Sequence, residues 1–225
     1  MLFERLISIL APSSCLVCGK KGVGLCENCA NEQLSLTPSR CYRCHKSTLQ
    51  HQVCPSCRST VRLNNLWVVC AYEGLAKDLI YKLKFERAGY LAKDISRLLA
   101  DCLPMLPSDT LVCHVPTAPK RIRIRGYDQS KLIAKELCKQ KNLRNANIFS
   151  RVSNSRQLGA SRQKRFDQVK MAYILKSSSL VKNKKIIIVD DVTTSGATLE
   201  FLAKTLKQAG AKSVSAVVFA QVLED

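Results

Sequence analysis

The chain of 225 residues has no long hydrophobic run, and this absence argues against a membrane-spanning helix. No apolar stretch approaches the roughly 20 residues that a membrane-spanning helix needs. Residues 1–10 are partly apolar, but Glu4 and Arg5 interrupt them and no small-residue cleavage site follows. This pattern predicts a short amphipathic helix rather than a secretion signal. We therefore expect a cytoplasmic protein without a membrane span.

Acidic residues are scarce as well: 17 Asp and Glu stand against 36 Lys and Arg, which gives a formal net charge of +19. The excess is uneven, because residues 119–170 contain fifteen basic and three acidic residues, a net charge of +12. Such a segment indicates a polyanionic partner, which can be nucleic acid, a diphosphate or both. A basic surface that only keeps the protein in solution is the alternative.

The nucleoside-triphosphate loop G-x-x-x-x-G-K-[ST] is absent, which excludes that class of phosphate site. Residues 186–189 instead form a branched apolar run, which predicts a strand buried on both faces. Asp190 and Asp191 end this run, small residues follow, and a helical pattern then continues to Gly210. Free backbone N–H groups and the positive end of the helix dipole favour an anion at such a junction. We therefore predict a phosphate-binding loop formed by Thr193, Thr194, Ser195, Gly196, Ala197 and Thr198.

The two adjacent acids, Asp190 and Asp191, limit which phosphate-containing ligands suit the site. Two adjacent carboxylates suit the two neighbouring hydroxyls of a ribose, directly or through a hydrated Mg²⁺ ion. Together with the phosphate-binding loop, Asp190 and Asp191 therefore predict a site for a ribose 5-phosphate. The alternative is a buried strand that ends in two acids before an ordinary strand-to-helix turn.

Cysteine is abundant, and eight of the twelve cysteines form four C-x-x-C pairs. The pairs are Cys15 with Cys18, Cys26 with Cys29, Cys41 with Cys44, and Cys54 with Cys57. Two such turns complete a tetrahedral metal site, so we predict two structural Zn²⁺ ions. Disulfides fit a secreted chain, and a redox C-x-x-C does not explain four copies. The similar gaps within each half favour sequential pairing, and interleaved pairing of the first with the third pair stays open.

From residue 66 onward, strand patterns alternate with helical patterns, which predicts an α/β domain with a mostly parallel sheet. One predicted strand, residues 110–115, leads into the loop Pro116-Thr117-Ala118-Pro119-Lys120. Ligands of α/β folds bind at such loops, beyond the carboxyl ends of the strands. We therefore expect this loop to face the ribose-phosphate site.

A basic segment follows this loop, with Arg121, Arg123 and Arg125 alternating with isoleucines. The alternation predicts either a short edge strand or an extended arm that holds the three arginines on one side. Arginine binds phosphate oxygens bidentately, so the segment suits a diphosphate or a nucleic-acid backbone. A second basic stretch, residues 153–165, predicts either a mobile loop that closes over a reaction centre or a plain connection.

The order of these motifs resembles that of the ComF family, a bacterial group that includes competence proteins and GntX-like proteins. The resemblance is carried by the four cysteine pairs, the Val115-Pro116 loop, the stretch Arg125-Gly126-Tyr127-Asp128-Gln129, residues 157–173 and the Asp190–Thr198 motif. The family usually has Phe and Asn where Tyr127 and Asp128 stand, and commonly Asn at Gln168. The resemblance implies a helix and a double zinc ribbon in residues 1–62, and a type I phosphoribosyltransferase-like domain in residues 66–225.

The resemblance also implies roles for residues of the site. In this family type, Asp190 and Asp191 hold the ribose of phosphoribosyl pyrophosphate (PRPP), which binds with Mg²⁺, and the following loop holds the 5-phosphate. The leaving diphosphate is held by Thr117, Ala118, Pro119 and Lys120, and its charge is neutralised by Arg121, Arg123, Arg125 and Arg162. Whether phosphoribosyl transfer takes place is left open by the sequence.

Some family members are needed for natural transformation, where they act on incoming single-stranded DNA. The resemblance therefore implies a DNA-binding competence protein. Two other functions stay open: a metabolic phosphoribosyltransferase that acts on a small base, and a zinc-ribbon adaptor without catalysis. The adaptor would dock a DNA-uptake helicase or channel protein.

Overall fold

The computed structural model describes residues 13–152 and 172–223. The predicted N-terminal helix and the whole second basic stretch, which includes Arg162, lie outside the described residues. Among the residues described, no helix is long and apolar enough to cross a membrane.

The described helices and strands follow the order expected of an α/β chain. The helices are α1 Glu27–Gln33, α2 Pro55–Arg58, α3 Gly74–Phe85, α4 Leu91–Cys102, α5 Pro119–Arg125, α6 Gln129–Lys141 and α7 Ala197–Gln208. The strands are β1 Leu66–Ala71, β2 Leu111–His114, β3 Arg144–Asn145, β4 Phe149–Arg151, β5 Tyr173–Leu175, β6 Lys185–Thr193 and β7 Ser213–Gln221.

In the described part of the chain, five strands form a parallel sheet in the order β1-β7-β6-β2-β3. This confirms the prediction of a mostly parallel sheet flanked by helices. The chain leaves β6 through α7 toward β7, whereas it leaves β2 through α5 and α6 toward β3 on the other side. The carboxyl ends of β6 and β2 therefore form a topological switch point, which is where open α/β sheets bind ligands.

Residues that alternate along the central strand point to opposite faces of the sheet, as the pleat requires. Ile187 and Val189 of β6 belong to a core that includes α3, α4 and α6, whereas Ile186 and Ile188 belong to a core that includes α7. All four side chains are buried, as the branched apolar run predicts. The sheet therefore carries a separate hydrophobic core on each face.

The strands β4 and β5 lie outside the parallel sheet and pair antiparallel, with Phe149 opposite Leu175 and Arg151 opposite Tyr173. The cation of Arg151 lies over the Tyr173 ring, 5.1 Å from its centroid. This two-stranded unit stands beside the carboxyl end of β2, where it contributes to the site described below.

The predicted strand or extended arm at residues 121–125 is wrong, because Pro119–Arg125 forms the helix α5. Pro119 occupies the first turn, where its fixed φ favours a helix, and Gly126 ends the helix with φ +87°. These two end signals outweigh the alternation of Arg and Ile. In a helix, Arg121 and Arg125 are four residues apart and share a face, so Arg123 points elsewhere.

Candidate functional site

A cavity of about 720 Å³ opens at the switch point, between the carboxyl ends of β2 and β6. It brings together most of the residues predicted from the two motifs. From the predicted set, the lining contains Thr117, Arg121, Arg125, Asp190, Asp191, Thr193, Thr194, Ser195, Gly196, Ala197 and Thr198. Ala118, Pro119, Lys120 and Arg123 are not part of this lining, and Pro119 lines a second cavity instead.

The predicted phosphate-binding loop lies between the end of β6 and the start of α7. Gly196 is the N-cap of α7 and has φ +73°, a left-handed conformation that favours glycine. No side chain caps this helix, so its first backbone N–H groups face the cavity without a side-chain acceptor. The loop is held from β7, because Val222 N donates to Thr193 O at 2.9 Å. The arrangement is a fixed backbone turn that can bind an anion.

The two acids are anchored by different partners. Asp190 accepts hydrogen bonds at Oδ1 from Ser130 Oγ and from the Asp191 backbone N–H, each at 2.9 Å. Asp191 is buried and forms an ion pair with Lys84 at the end of α3. Burial, and then the charge of Asp191, raise the pKa of Asp190 well above its usual value. Without a ligand the raised pKa therefore favours a proton on Asp190, and a cation that enters the site would replace this proton and let both carboxylates bind.

A hydrogen-bond network fixes the loop that follows β2. Thr117 donates from its backbone N–H to Asp128 Oδ2 at 2.8 Å, and its single hydroxyl proton is shared between Asp128 Oδ1 at 3.1 Å and Gln129 Oε1 at 3.0 Å. Arg125 donates to the same Gln129 oxygen at 2.8 Å. Asp128 also caps α6 by accepting from Lys131 N–H. The Arg-Gly-Tyr-Asp-Gln stretch therefore holds the Thr117 loop in place.

Arg125 and Arg121 reach the cavity from the shared face of α5. The Arg125 side chain is buried, and its guanidinium lies 5.4 Å from the centroid of the Phe85 ring. Tyr127, which the family usually replaces by Phe, donates its hydroxyl to Leu83 O at 2.6 Å. These contacts attach α5 and the start of α6 to the end of α3.

The sequence analysis missed several residues of this cavity. They are Tyr72, Lys84, Phe85, Arg87, Gln129, Ser130, Arg151 and Tyr173. One of them, Lys84 near the end of α3, forms the ion pair with Asp191. No local signal distinguishes this lysine, because its position depends on how α3 packs at the sheet edge.

The eight cysteines of the C-x-x-C pairs form two groups, Cys15, Cys18, Cys26 and Cys29, and Cys41, Cys44, Cys54 and Cys57. Within each group the sulfur atoms lie within 4.8 Å of one another, which confirms the sequential pairing. The Cys18–Cys26 and Cys44–Cys54 sulfur distances are 3.7 and 3.5 Å. Four thiolates around Zn²⁺ at about 2.3 Å have sulfur separations of about 3.8 Å, so both groups fit a tetrahedral metal ion.

The two groups repeat one local turn. In the first, Gly19 N–H donates to Cys15 O and Cys15 N–H donates to Lys20 O. In the second, His45 N–H donates to Cys41 O and Cys41 N–H donates to Lys46 O, so the bonds match position by position. Burial would raise the pKa of the Cys15 thiol, but backbone N–H groups, first that of Cys18, lower it to about 6. The turns therefore favour the thiolate that a metal needs.

Known proteins resemble this chain over most of its length. A family model described as "Phosphoribosyl transferase domain" matches residues 131–225. Competence protein F of Haemophilus influenzae is 28% identical over 203 residues, which cover 85% of this chain and 87% of that protein. Competence protein ComFC of Streptococcus pneumoniae is 25% identical over 218 residues, 94% of each. DNA utilization protein YhgH of Escherichia coli K12 is 27% identical over 201 residues, 85% of this chain and 87% of that protein.

Among solved structures, the glutamine PRPP amidotransferase of B. subtilis aligns with a TM-score of 0.45 and 18% identity. The alignment covers 69% of this chain and 32% of that one, so the chain spans about a third of its length. The curated relatives, the phosphoribosyl transferase domain and the two four-cysteine groups together confirm the resemblance to the ComF family that the sequence shows.

Proposed function

We propose that this chain is a ComF-type competence protein that binds PRPP, or a related ribose phosphate, and handles incoming single-stranded DNA in natural transformation. One observation carries the proposal: an acid pair and a helix-capped phosphate loop share a cavity with arginines, in a chain similar throughout to competence and DNA utilization proteins. The proposal places the protein in the cytoplasm, where the imported strand arrives.

In this proposal Asp190 and Asp191 bind the neighbouring ribose hydroxyls, and residues 194–198 bind the 5-phosphate. Thr117, Arg121 and Arg125 face the diphosphate, since they line the same cavity. The carboxylates of the acid pair are the hard oxygen ligands that Mg²⁺ prefers, so the donor set fits this ion. When bound, Mg²⁺ would neutralise diphosphate charge. Lys84, which pairs with Asp191, limits the electrostatic repulsion within the acid pair before the ligand arrives.

The two four-cysteine groups hold structural Zn²⁺ in this proposal. Their sulfur geometry fits a closed tetrahedral site, which leaves no open position for a substrate. The stretch that carries them has few large apolar side chains, so metal binding supplies much of its folding free energy. The division into a zinc ribbon at residues 1–62 and a domain at residues 66–225 stays a prediction.

Calorimetry with PRPP, in the presence and absence of Mg²⁺, tests the ligand. The wild type should bind, and Asp190→Ala with Asp191→Ala should lose the Mg²⁺-dependent part of the affinity. Asp101→Ala with Asp109→Ala is the matched control, because it removes the same charge from two exposed positions outside the cavity. Equal binding by the acid-pair variant and the control would contradict the assignment of the site.

A metabolic phosphoribosyltransferase is the second candidate, and the matched phosphoribosyl transferase domain favours it. The reaction would substitute at the ribose C1 and release diphosphate. A screen of purine and pyrimidine bases for diphosphate release separates the two functions. Turnover with one base, together with no binding of single-stranded DNA, would favour the metabolic enzyme.

A zinc-ribbon adaptor that docks a DNA-uptake helicase or channel protein is a third function in this family setting. A pull-down with such a protein separates it from the others. Binding that depends on the cysteine groups but survives Asp190→Ala with Asp191→Ala would favour the adaptor.

A further inference from the structure

A second cavity, of about 510 Å³, lies beside the first and shares with it Pro116, Thr117 and Arg151. One wall is formed by α5 and the start of α6, and the other by β4, β5 and the residues that flank them. From the sequence, Thr117 and Pro119 of this lining are expected to face the diphosphate, and its lysines have no individual role. Because the two cavities meet at the Thr117 loop, a ligand in the second lies next to the ribose-phosphate site.

The lining of the second cavity is strongly basic. Lys131 and Lys135 stand one turn apart on α6, Lys176 follows β5 on the opposite wall, and Arg151 ends β4. The three lysines are exposed, and within the described part of the chain none of them forms an ion pair. Lys176 Nζ also donates to the Asn147 side-chain oxygen at 3.2 Å, and an ammonium group has three donors, so all three lysines keep donors for a ligand in the cavity.

Asp128 is the one acid among the described residues of this lining, and its carboxylate is already engaged. It accepts from Thr117 N–H and Oγ1 and from Lys131 N–H, and it is buried. The charge that faces the cavity is therefore positive, and the natural ligand is an anion.

The apolar part of the lining offers little for base stacking. Phe149 is buried beneath the surface, and Tyr127 is held by its hydroxyl bond to Leu83 O. Lysines act as mobile point charges and do not form a closed phosphate cradle. Among the residues that the structure describes, the lining thus offers cations on two facing walls and no exposed aromatic platform, which suits a chain of phosphates bound through charge.

We infer that the second cavity binds the sugar–phosphate backbone of single-stranded DNA and holds the strand beside the ribose-phosphate site. This inference rests on the proposed function, and it assigns the DNA site of that function to the groove between Lys131, Lys135 and Lys176. The binding is independent of base sequence and depends steeply on salt, because it releases counterions from the strand.

The test measures fluorescence anisotropy of a labelled 20-nucleotide oligo-dT across a salt titration. Lys131→Ala with Lys135→Ala should lower the affinity by about tenfold and reduce the slope of log K against log salt by about 1.4, since each single-strand phosphate contact contributes about 0.7. Lys139→Ala with Lys141→Ala is the matched control, because it removes the same charge from the same helix outside the cavity. Lys176→Ala tests the opposite wall and should reduce the slope by about 0.7.

Calorimetry with PRPP on the same variants separates this inference from the proposed function. The lysine variants should bind PRPP like the wild type, because Lys131, Lys135 and Lys176 do not line the first cavity. If the wild type binds no oligo-dT at about 50 mM salt, the proposed function fails and the DNA site fails with it. If the wild type binds oligo-dT and the lysine variants of the second cavity bind it as tightly as the control variant, only the DNA site is overturned. If short-chain polyphosphate displaces the labelled oligo-dT as effectively as unlabelled oligo-dT does, the DNA site is also overturned. The cavity would then bind phosphate without preferring a nucleic-acid strand.

Discussion

The two cysteine modules share one local design but dock on opposite faces of the sheet. The first module, residues 13–34, belongs to the core of α3, α4 and α6. The second module, residues 41–63, belongs to the core of α7. Each module therefore covers a different hydrophobic core, and two cysteine groups that fit a metal ion equally well can differ in their effect on the first cavity.

The first module is attached to α4. Asp94 accepts at Oδ2 from Gly24 N–H at 2.8 Å and from Leu25 N–H at 3.2 Å. The approach is so close that a Cβ at position 24 would lie 2.4 Å from Leu91 Cδ2, which explains the glycine. None of these residues lines the first cavity.

The second module is attached to α7, the helix that begins at the phosphate-binding loop. Glu200 in its first turn accepts from Tyr42 Oη at 2.7 Å, from Leu63 N–H at 3.2 Å and from Arg62 N–H. The Tyr42 ring lies against Gly196, where a Cβ would be 3.5 Å from Tyr42 Cδ2. The second module therefore supports the turn that presents the loop, whereas the first does not touch it.

The largest difference between the two modules should appear when one metal ion at a time is removed. Cys44→Ser and Cys18→Ser are matched, since each replaces the second, exposed cysteine of the first pair in its module. We expect each variant to lose one of two Zn²⁺ ions by elemental analysis. Only Cys44→Ser should also weaken PRPP binding, by about tenfold, a typical coupling between sites. Equal PRPP affinities of the two variants would contradict the difference between the modules.

Substitution of Glu200 or Asp94, the carboxylates that attach the two modules, should have the next largest effect. Glu200 uses both oxygens, so Glu200→Gln places an NH₂ group against a backbone or hydroxyl donor and should lower the free energy of unfolding by about 1–3 kcal/mol. Asp94 uses Oδ2 for both bonds, so the amide oxygen in Asp94→Asn can replace it and the loss should be smaller. Chemical denaturation measures both. PRPP affinity should fall only for Glu200→Gln.

Tyr42→Phe should give the smallest effect. It removes one hydroxyl bond to Glu200 and keeps the ring against Gly196, so we expect a loss of about 1 kcal/mol in the free energy of unfolding. Zinc content should not change, and PRPP affinity should change by less than about fivefold. A loss of PRPP affinity as large as that of Cys44→Ser would show that the Tyr42 hydroxyl, and not the packing of the second module, stabilises the phosphate-binding loop.

The parts of the site that could be predicted are those that lie together in the sequence. The acid pair, the phosphate-binding loop and α7 follow one another within residues 190–208, so their spacing alone fixes their geometry. The C-x-x-C turns are equally local. The basic segment forms a helix despite its alternation of Arg and Ile, because Pro119 at the helix start and Gly126 at its end are the stronger signals.

The four C-x-x-C pairs, the parallel sheet and the strand, acid pair, loop and helix around Asp190 and Asp191 could be predicted from local patterns in the sequence. The structure was needed to show that Lys84 pairs with Asp191, that Ser130 holds Asp190, and which sheet face each cysteine module covers. These contacts could not be predicted because the residues that form them lie far apart along the chain. Local motifs are set by backbone geometry over a few residues, whereas these contacts depend on how helices pack over a sheet edge formed by strands far apart in sequence.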